Sequence, residues 1–273
     1  MPILRSFLCA AILSLISFVS QADVPVLTFT MKPFDVLILH GGHEVEIVQG
    51  EGFRVQVQGE DLSSPLVLQS ETTVSLGRAD LRRPPIPNMK YRVEMPQLAR
   101  LHIRGSGRVF VKPFSTVEPV AFNVEGSGSL YLYDWNSSLL NVRLHGSGNI
   151  EFAELKSDRV SVNIGGSGSL VAGEAHILDL DAAMAGSGEL VLEDSETSVQ
   201  NLRVNIAGSG GMEAEQIDFS VIQANIMGSG DVRTGKAARI TANIIGSGSV
   251  YYRGDAITES SVLGSGRLEQ VDD

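Results

Sequence analysis

Gly-Ser-Gly occurs nine times in this 273-residue chain, beginning at Gly105, Gly126, Gly146, Gly166, Gly186, Gly208, Gly228, Gly246 and Gly264. The intervals are 21, 20, 20, 20, 22, 20, 18 and 18 residues. A tandem period near 20 is the mark of a solenoid. No other feature restricts the fold as strongly, because whatever one repeat does its neighbour does again one step further along an axis.

The flanks of the glycines identify the repeat. Two residues before each unit stand Ile103, Val124, Leu144, Ile164, Met184, Ile206, Ile226, Ile244 and Val262. Four residues after each first glycine stand Val109, Leu130, Ile150, Leu170, Leu190, Met212, Val232, Val250 and Leu268. With 43% hydrophobic residues in the chain, chance would almost never make all of these apolar. The position four before each unit is apolar too, except at Ser260. Alternate residues are polar, as at Asn123, Arg143, Asn163, Asn205, Asn225 and Asn243. Period two on both sides of the glycines predicts strands with one buried face. A helix would need ten or more residues at period 3.6, and two glycines per repeat would weaken it.

The connecting stretches add Leu155, Ile177, Val199 and Ile217, so each repeat reads as one coil of a parallel β-helix with two clear strands and a short third side. The glycines let the chain turn sharply at one corner. The serines, Ser106 to Ser265, are expected to form a hydrogen-bonded ladder along that edge. Nine coils would extend roughly 40 Å at the usual strand spacing. A phosphate loop is excluded, since no unit leads from a strand into a helix with a following Lys-Ser/Thr. Calcium-binding nonapeptides would need a shorter period, and only Gly228-Ser229-Gly230-Asp231 comes near their pattern.

Residues 1–22 carry one basic residue, Arg5, then an apolar run from about Phe7 to Val19, and close on Ser20-Gln21-Ala22. That is the layout of a secretory signal peptide, and it is too short to span a membrane. Cleavage after Ala22 leaves Asp23 first and removes the only cysteine, Cys9, so the mature chain has no disulfide. Losing Arg5 takes the formal charge from −11 to −12. An acidic surface of that size argues against nucleic acid and anionic lipid as partners. No mature segment is apolar and long enough for a transmembrane helix.

The repeated Gly-Ser-Gly with apolar flanks resembles the head GIN domain family of auto-transporter adhesins. The segments "KPFDVLILHGGHEVEIVQGEGFRVQVQGE" (Lys32 to Glu60) and "YRVEMPQLARLHIRGSGRV" (Tyr91 to Val109) resemble that family's approach to its first Gly-Ser-Gly. The likeness covers roughly Phe34 to Leu268. It implies a secreted right-handed β-helix with an adhesin role, and it brings no catalytic motif. Auto-transporters end in a membrane β-barrel, whereas about seven residues follow the last Gly-Ser-Gly here. The expected location is therefore the periplasm, with the cell surface or exterior as alternatives.

Residues 23–100 lack the unit but alternate in the same way. "VLTFTM", "FDVLILH", "HEVEIVQ", "FRVQVQG" and "TTVSLG" read as strands, and Gly41-Gly42 reads as punctuation between two of them. The chain thus divides into a signal peptide (1–22), an N-terminal β-rich cap (23–100) and the repeat β-helix (101–273), with the cap covering the open core. "RADLRRPPIPNMKYR" concentrates Arg78, Arg82, Arg83, Lys90 and Arg92 and reads as a solvated loop or a docking site.

Two classes of function remain. One is an exported, non-enzymatic binding or structural module of the envelope, adhesin-like, whose partner is an envelope protein or polysaccharide, or a second copy. The other is a carbohydrate-active β-helix enzyme, a polysaccharide lyase or glycosidase, which needs paired carboxylates about 5–10 Å apart. Asp179, Asp181, Glu189, Glu193 and Asp194 are the carboxylates in range, but they occupy positions a solvated face would fill with charge anyway. His40, His43, His102, His145 and His176 supply at most a pair of ligands and read as surface residues, His176 in a connecting loop. Neither cofactor nor metal is expected.

The residue just before each unit changes along the array, from Arg104, Glu125 and His145 to Ala185, Ala207, Met227, Ile245 and Leu263. Alternation points these side chains outward, making Ala207, Met227, Ile245 and Leu263 an exposed interaction stripe. If the corner shifts register instead, the same residues turn inward and add to the core.

Overall fold

The computed structural model describes residues 25–59, 62, 67–78, 89–194 and 198–271. The signal-peptide segment and Arg82 and Arg83 lie outside these residues. The described chain is a β-solenoid, all of its regular structure is strand, and its 22 strands join into one continuous sheet.

All nine Gly-Ser-Gly units stack in register, Gly105 beside Gly126 and so on to Gly246 beside Gly264. Nine corners bound about eight turns, close to the nine coils expected. Neighbouring coils pair in parallel, so each strand completes its backbone hydrogen bonds with the coil before and the coil after.

Each coil has three sides, and the burial pattern shows why. In the strand Asn149–Gly166 the inward residues are Ile150, Phe152, Leu155, Ser157, Val160, Val162 and Ile164. Alternation slips where two consecutive residues face out, at Ala153-Glu154 and at Asp158-Arg159. Those slips are two corners, and Gly-Ser-Gly is the third. The same slips recur one coil away at Tyr133-Asp134 and Ser138-Leu139, and on the other side at Gly173-Glu174 and Leu178-Asp179.

The third corner has a steric cause. The first glycines hold φ between +112° and +133°, a region L side chains rarely adopt. A Cβ on Gly186 would lie 2.5 Å from the Gly166 carbonyl oxygen of the preceding coil. The third glycines have no such φ, but a Cβ on Gly168 would lie 2.5 Å from the Gly148 oxygen. One glycine is required by conformation and the other by close approach. The serine ladder runs through the backbone: the N–H of each serine from Ser127 to Ser265 donates to the first-glycine carbonyl of the preceding coil at 2.8–3.0 Å. The serine side chains face solvent, so the hydroxyl ladder expected from the sequence gives way to an amide one.

The five strands read in the first third are present, joined by Val67–Ser70 and Lys90–Met95. Antiparallel pairs at Val26–Thr30 and Arg54–Gln58 sit beside parallel ones here. Gly41-Gly42-His43 is more than punctuation. Gly41 pairs with Gly105 and has φ +88°, so this triplet stacks beneath the first Gly-Ser-Gly as a corner of different composition. Inside the coils, Phe114 and Phe122 pack against Trp135 at centroid distances of 5.5 and 4.8 Å, and Trp135 donates its indole N–H to Ser137 Oγ at 3.0 Å.

Candidate functional site

The outward column just before the corner keeps its alternation to the end. Met227 is 59% exposed, Ile245 53% and Leu263 72%, and Ala185 and Ala207 are exposed as well. The inward alternative is thereby overturned. The reason lies in the corner, where the left-handed glycine comes one residue later and absorbs the turn without a slip in parity. Strand register places Ala185 beside Ala207, Ala207 beside Met227, Met227 beside Ile245 and Ile245 beside Leu263.

Two residues earlier in each strand runs a second outward column: Asn163, Ala183, Asn205, Asn225 and Asn243. Its amides are ordered in one direction. Asn225 Nδ2 donates to Asn205 Oδ1 at 2.9 Å and Asn243 Nδ2 to Asn225 Oδ1 at 3.0 Å. Along the columns lies an open groove of about 390 Å³, lined by Ala183, Ala185 and Ala207 and, in its C-terminal part, by Met227 and Ile245. None of the side chains lining it carries charge.

Of the candidate carboxylates, Asp179 and Asp181 line one pocket together with Arg159 and Arg203, and the others stand on a different side of the coil. Asp179 and Asp181 stand on the strand before the corner at Gly186, while Glu189, Glu193 and Asp194 follow it on the next side. Asp179 accepts from Asn201 Nδ2 at 2.7 Å and lies 3.5 Å from the Arg159 guanidinium. Asp181 pairs with Arg203 at 3.1 Å. These two are rungs of a solvated face, Asp179 and Asp181 each answered by a cation or amide in the neighbouring coils.

The histidines correct two expectations. His43 is buried, its Nδ1 accepting the Met89 N–H at 3.1 Å with the Tyr91 ring edge-on at 5.6 Å. Burial lowers its pKa and pushes that of Tyr91 up to about 12. His40 and His102 are lowered as well, by burial first and then by the Arg104 charge, although Glu125 beside His102 opposes the shift. His176 lies within a strand rather than a loop. Its Nε2 is 2.9 Å from Glu174 Oε1, and one ligand atom each from Glu154, Glu174 and His176 fall within 4.8 Å of one another. Sequence spacing hid this trio because Glu154 sits one coil away from Glu174 and His176. Equal offsets from the corner, eight for both glutamates and ten for the histidine, were the available signal. The Lys156 ammonium already pairs with Glu154.

Of the basic stretch, Lys90 pairs with Glu44 at 3.2 Å and Arg92 reaches the buried Glu46, which Lys112 from outside the stretch also reaches. No helix among the described residues is long and apolar enough to cross a membrane.

A family profile described as "Putative auto-transporter adhesin, head GIN domain" matches residues 33–256. Several crystal structures share the fold. A "putative adhesin" from Parabacteroides merdae superposes with a TM-score of 0.64 at 16% identity, over 92% of this chain and 97% of that one. A "putative adhesin" from Parabacteroides distasonis gives 0.63 at 14%, over 91% and 97%. A "Putative lipid binding protein" from the same species gives 0.63 at 21%, over 92% and 98%. At such identities the likeness is one of fold. Among curated proteins there is no match.

Proposed function

The chain belongs to the "Putative auto-transporter adhesin, head GIN domain" family, and from that premise we propose that it is an exported, non-enzymatic binding module of the cell envelope. The observation that carries the reading is the exposed apolar column Ala207, Met227, Ile245 and Leu263 beside an ordered amide ladder. Contiguous apolar surface costs solubility and commonly marks an interface. A solenoid is suited to this use, since parallel stacking repeats one residue choice at a fixed step and builds a long, rigid contact face. Export is supported by the signal-peptide pattern of residues 1–22. The binding role is supported by the names of the similar structures, two called "putative adhesin" and one "Putative lipid binding protein".

Three measurements test the reading. Mass spectrometry of the native protein should find a mature chain beginning at Asp23; a full-length cytosolic chain would overturn export. Met227→Asp with Ile245→Asp should leave the circular dichroism spectrum and unfolding transition almost unchanged while abolishing retention on envelope fractions. Strong destabilisation with retention intact would mean that the column serves packing instead. Impermeant biotin applied to intact cells then separates an outward-facing adhesin, which is labelled, from a periplasmic module, which is protected.

A further inference from the structure

We propose that the groove beside the Gly-Ser-Gly corner of the C-terminal coils binds an extended, uncharged, β-linked glycan chain laid along the solenoid axis; the proposal rests on the reading of the chain as a binding module. Three features of the groove point to this chemistry. Its lining holds no titratable side chain, in a protein of formal charge −11 whose other faces are laced with ion pairs. An anionic polymer would find no cation there, and a cationic one no carboxylate.

The lining is also two-sided. Ala185, Ala207, Met227 and Ile245 offer an apolar strip, and Asn205, Asn225 and Asn243 offer amides whose mutual bonds leave further donors and acceptors free for a ligand. A sugar ring has the same division, with apolar C–H faces and hydroxyl edges. An acyl chain would cover the strip and leave the amides unused.

Finally, the columns repeat at the coil rise of about 4.8 Å. In an extended β-1,4-linked glycan successive residues are turned over, so same-side groups recur every second residue, close to two coil steps. An extended peptide repeats same-side groups at roughly 6.6 Å and falls out of phase. From Gly165 to Ile245 the column spans four coil steps, about 19 Å, enough for about four sugar residues.

A second copy fits less well. A strip one or two side chains wide covers far less than the roughly 800 Å² per partner that a stable dimer buries. The C-terminal end is not the contact either. Two of its three inward positions are polar, Thr258 and Ser260 where the preceding coil has Ile240 and Ala242, and the third is Val262 opposite Ile244. Polar residues are placed where water reaches the end of the core, yet Leu263 in the outward column stays apolar.

The test is calorimetric titration of the mature chain with cello- and chito-oligosaccharides of increasing length, alongside an oligogalacturonate as the charged comparison. At least one neutral series should bind, with affinity rising up to about four or five units, then levelling, and insensitive to added salt. Ala207→Arg, an outward substitution that leaves the core alone, should weaken that binding by about tenfold or more. Equal binding of the charged oligomer, or unchanged affinity in Ala207→Arg, overturns the proposal. If no neutral series binds at millimolar concentration while Met227→Asp with Ile245→Asp still abolishes envelope retention, the glycan is wrong and the binding module stands. If that variant is retained as well, both readings fall.

Discussion

Gly186 and Ser187 are adjacent in one corner, yet alanine should act on them in opposite ways. Gly186 holds φ +117°, and a Cβ there would lie 2.5 Å from the Gly166 oxygen, a backbone atom that cannot swing aside. Gly186→Ala should cost about 2 kcal/mol or more in urea denaturation. Ser187 contributes its N–H, which alanine keeps, and its side chain faces water, so Ser187→Ala should lie within about 0.5 kcal/mol of wild type. A large loss at Ser187 would return the ladder to the hydroxyls. His43 gives a prediction about pH. Its folded pKa is lowered, so below about pH 6.5 the unfolded chain takes up a proton that the native chain resists. Stability is full above that pH and falls as the solution is acidified through it. His43→Asn keeps an acceptor for the Met89 N–H and does not titrate, so it should reduce the acid slope without removing it, since His40 and His102 shift in the same sense. An unaltered slope of melting temperature against pH in His43→Asn would remove His43 from this account. The corner glycines were legible in sequence because both of their constraints repeat nine times. The burial of His43 was not, because the groups that bury it lie 46 and 48 residues further along the chain.

At the scale of a strand, period two was plain wherever apolar and polar residues alternated, and those stretches are strands. The two corners without glycine were harder to see. Their only trace is a spacing of three between inward residues, as from Phe152 to Leu155 and from Ser157 to Val160. Such a slip looks like noise in one repeat and is meaningful only when neighbouring repeats share it. Polar residues at inward positions obscured it further: Ser137 faces the core because the Trp135 indole N–H needs an acceptor, and Ser157 bonds the Arg159 carbonyl at 3.1 Å. The outward apolar column was legible as a pattern, but its direction was not, since that depends on whether the corner preserves parity. Trp135 ties the first glycine-flanked coils together, touching Phe114 on one side and Phe122 on another. Trp135→Ala should cost about 3–5 kcal/mol, in the range of large core truncations. Trp135→Phe should cost markedly less, because it keeps an aromatic ring for the stack and leaves only Ser137 without its donor. Equal losses for the two would assign the stability to the indole hydrogen bond rather than to packing.

For the whole molecule, stability should be graded along the axis rather than uniform. A solenoid coil is held by its two neighbours, and a terminal coil by one. The N-terminal end departs from the repeat, with antiparallel strands Val26–Thr30 and Arg54–Gln58 set against the parallel stack. The strand Ile257–Gly264 pairs with the preceding coil alone among the described strands, and all eight of its residues are exposed. By contrast, Ser129–Gly146 and Asn149–Gly166 are each paired on both sides along nearly their whole length. In a parallel strand, successive residues direct their backbone groups alternately to the two neighbours. In Ile257–Gly264, therefore, every second amide has a partner and the others face water. Native-state hydrogen exchange should show that alternation directly: within this strand protected and fast-exchanging amides should alternate, and even the protected ones should open with a smaller free energy than amides of residues 129–166. Uniform protection across 257–264 would mean that the edge is covered in solution, by a second molecule or by chain beyond it. A concentration-dependent rise in protection would single out the second molecule. Uniform fast exchange would instead mean that the last coil is frayed, and that the apolar column ends at Ile245 rather than Leu263.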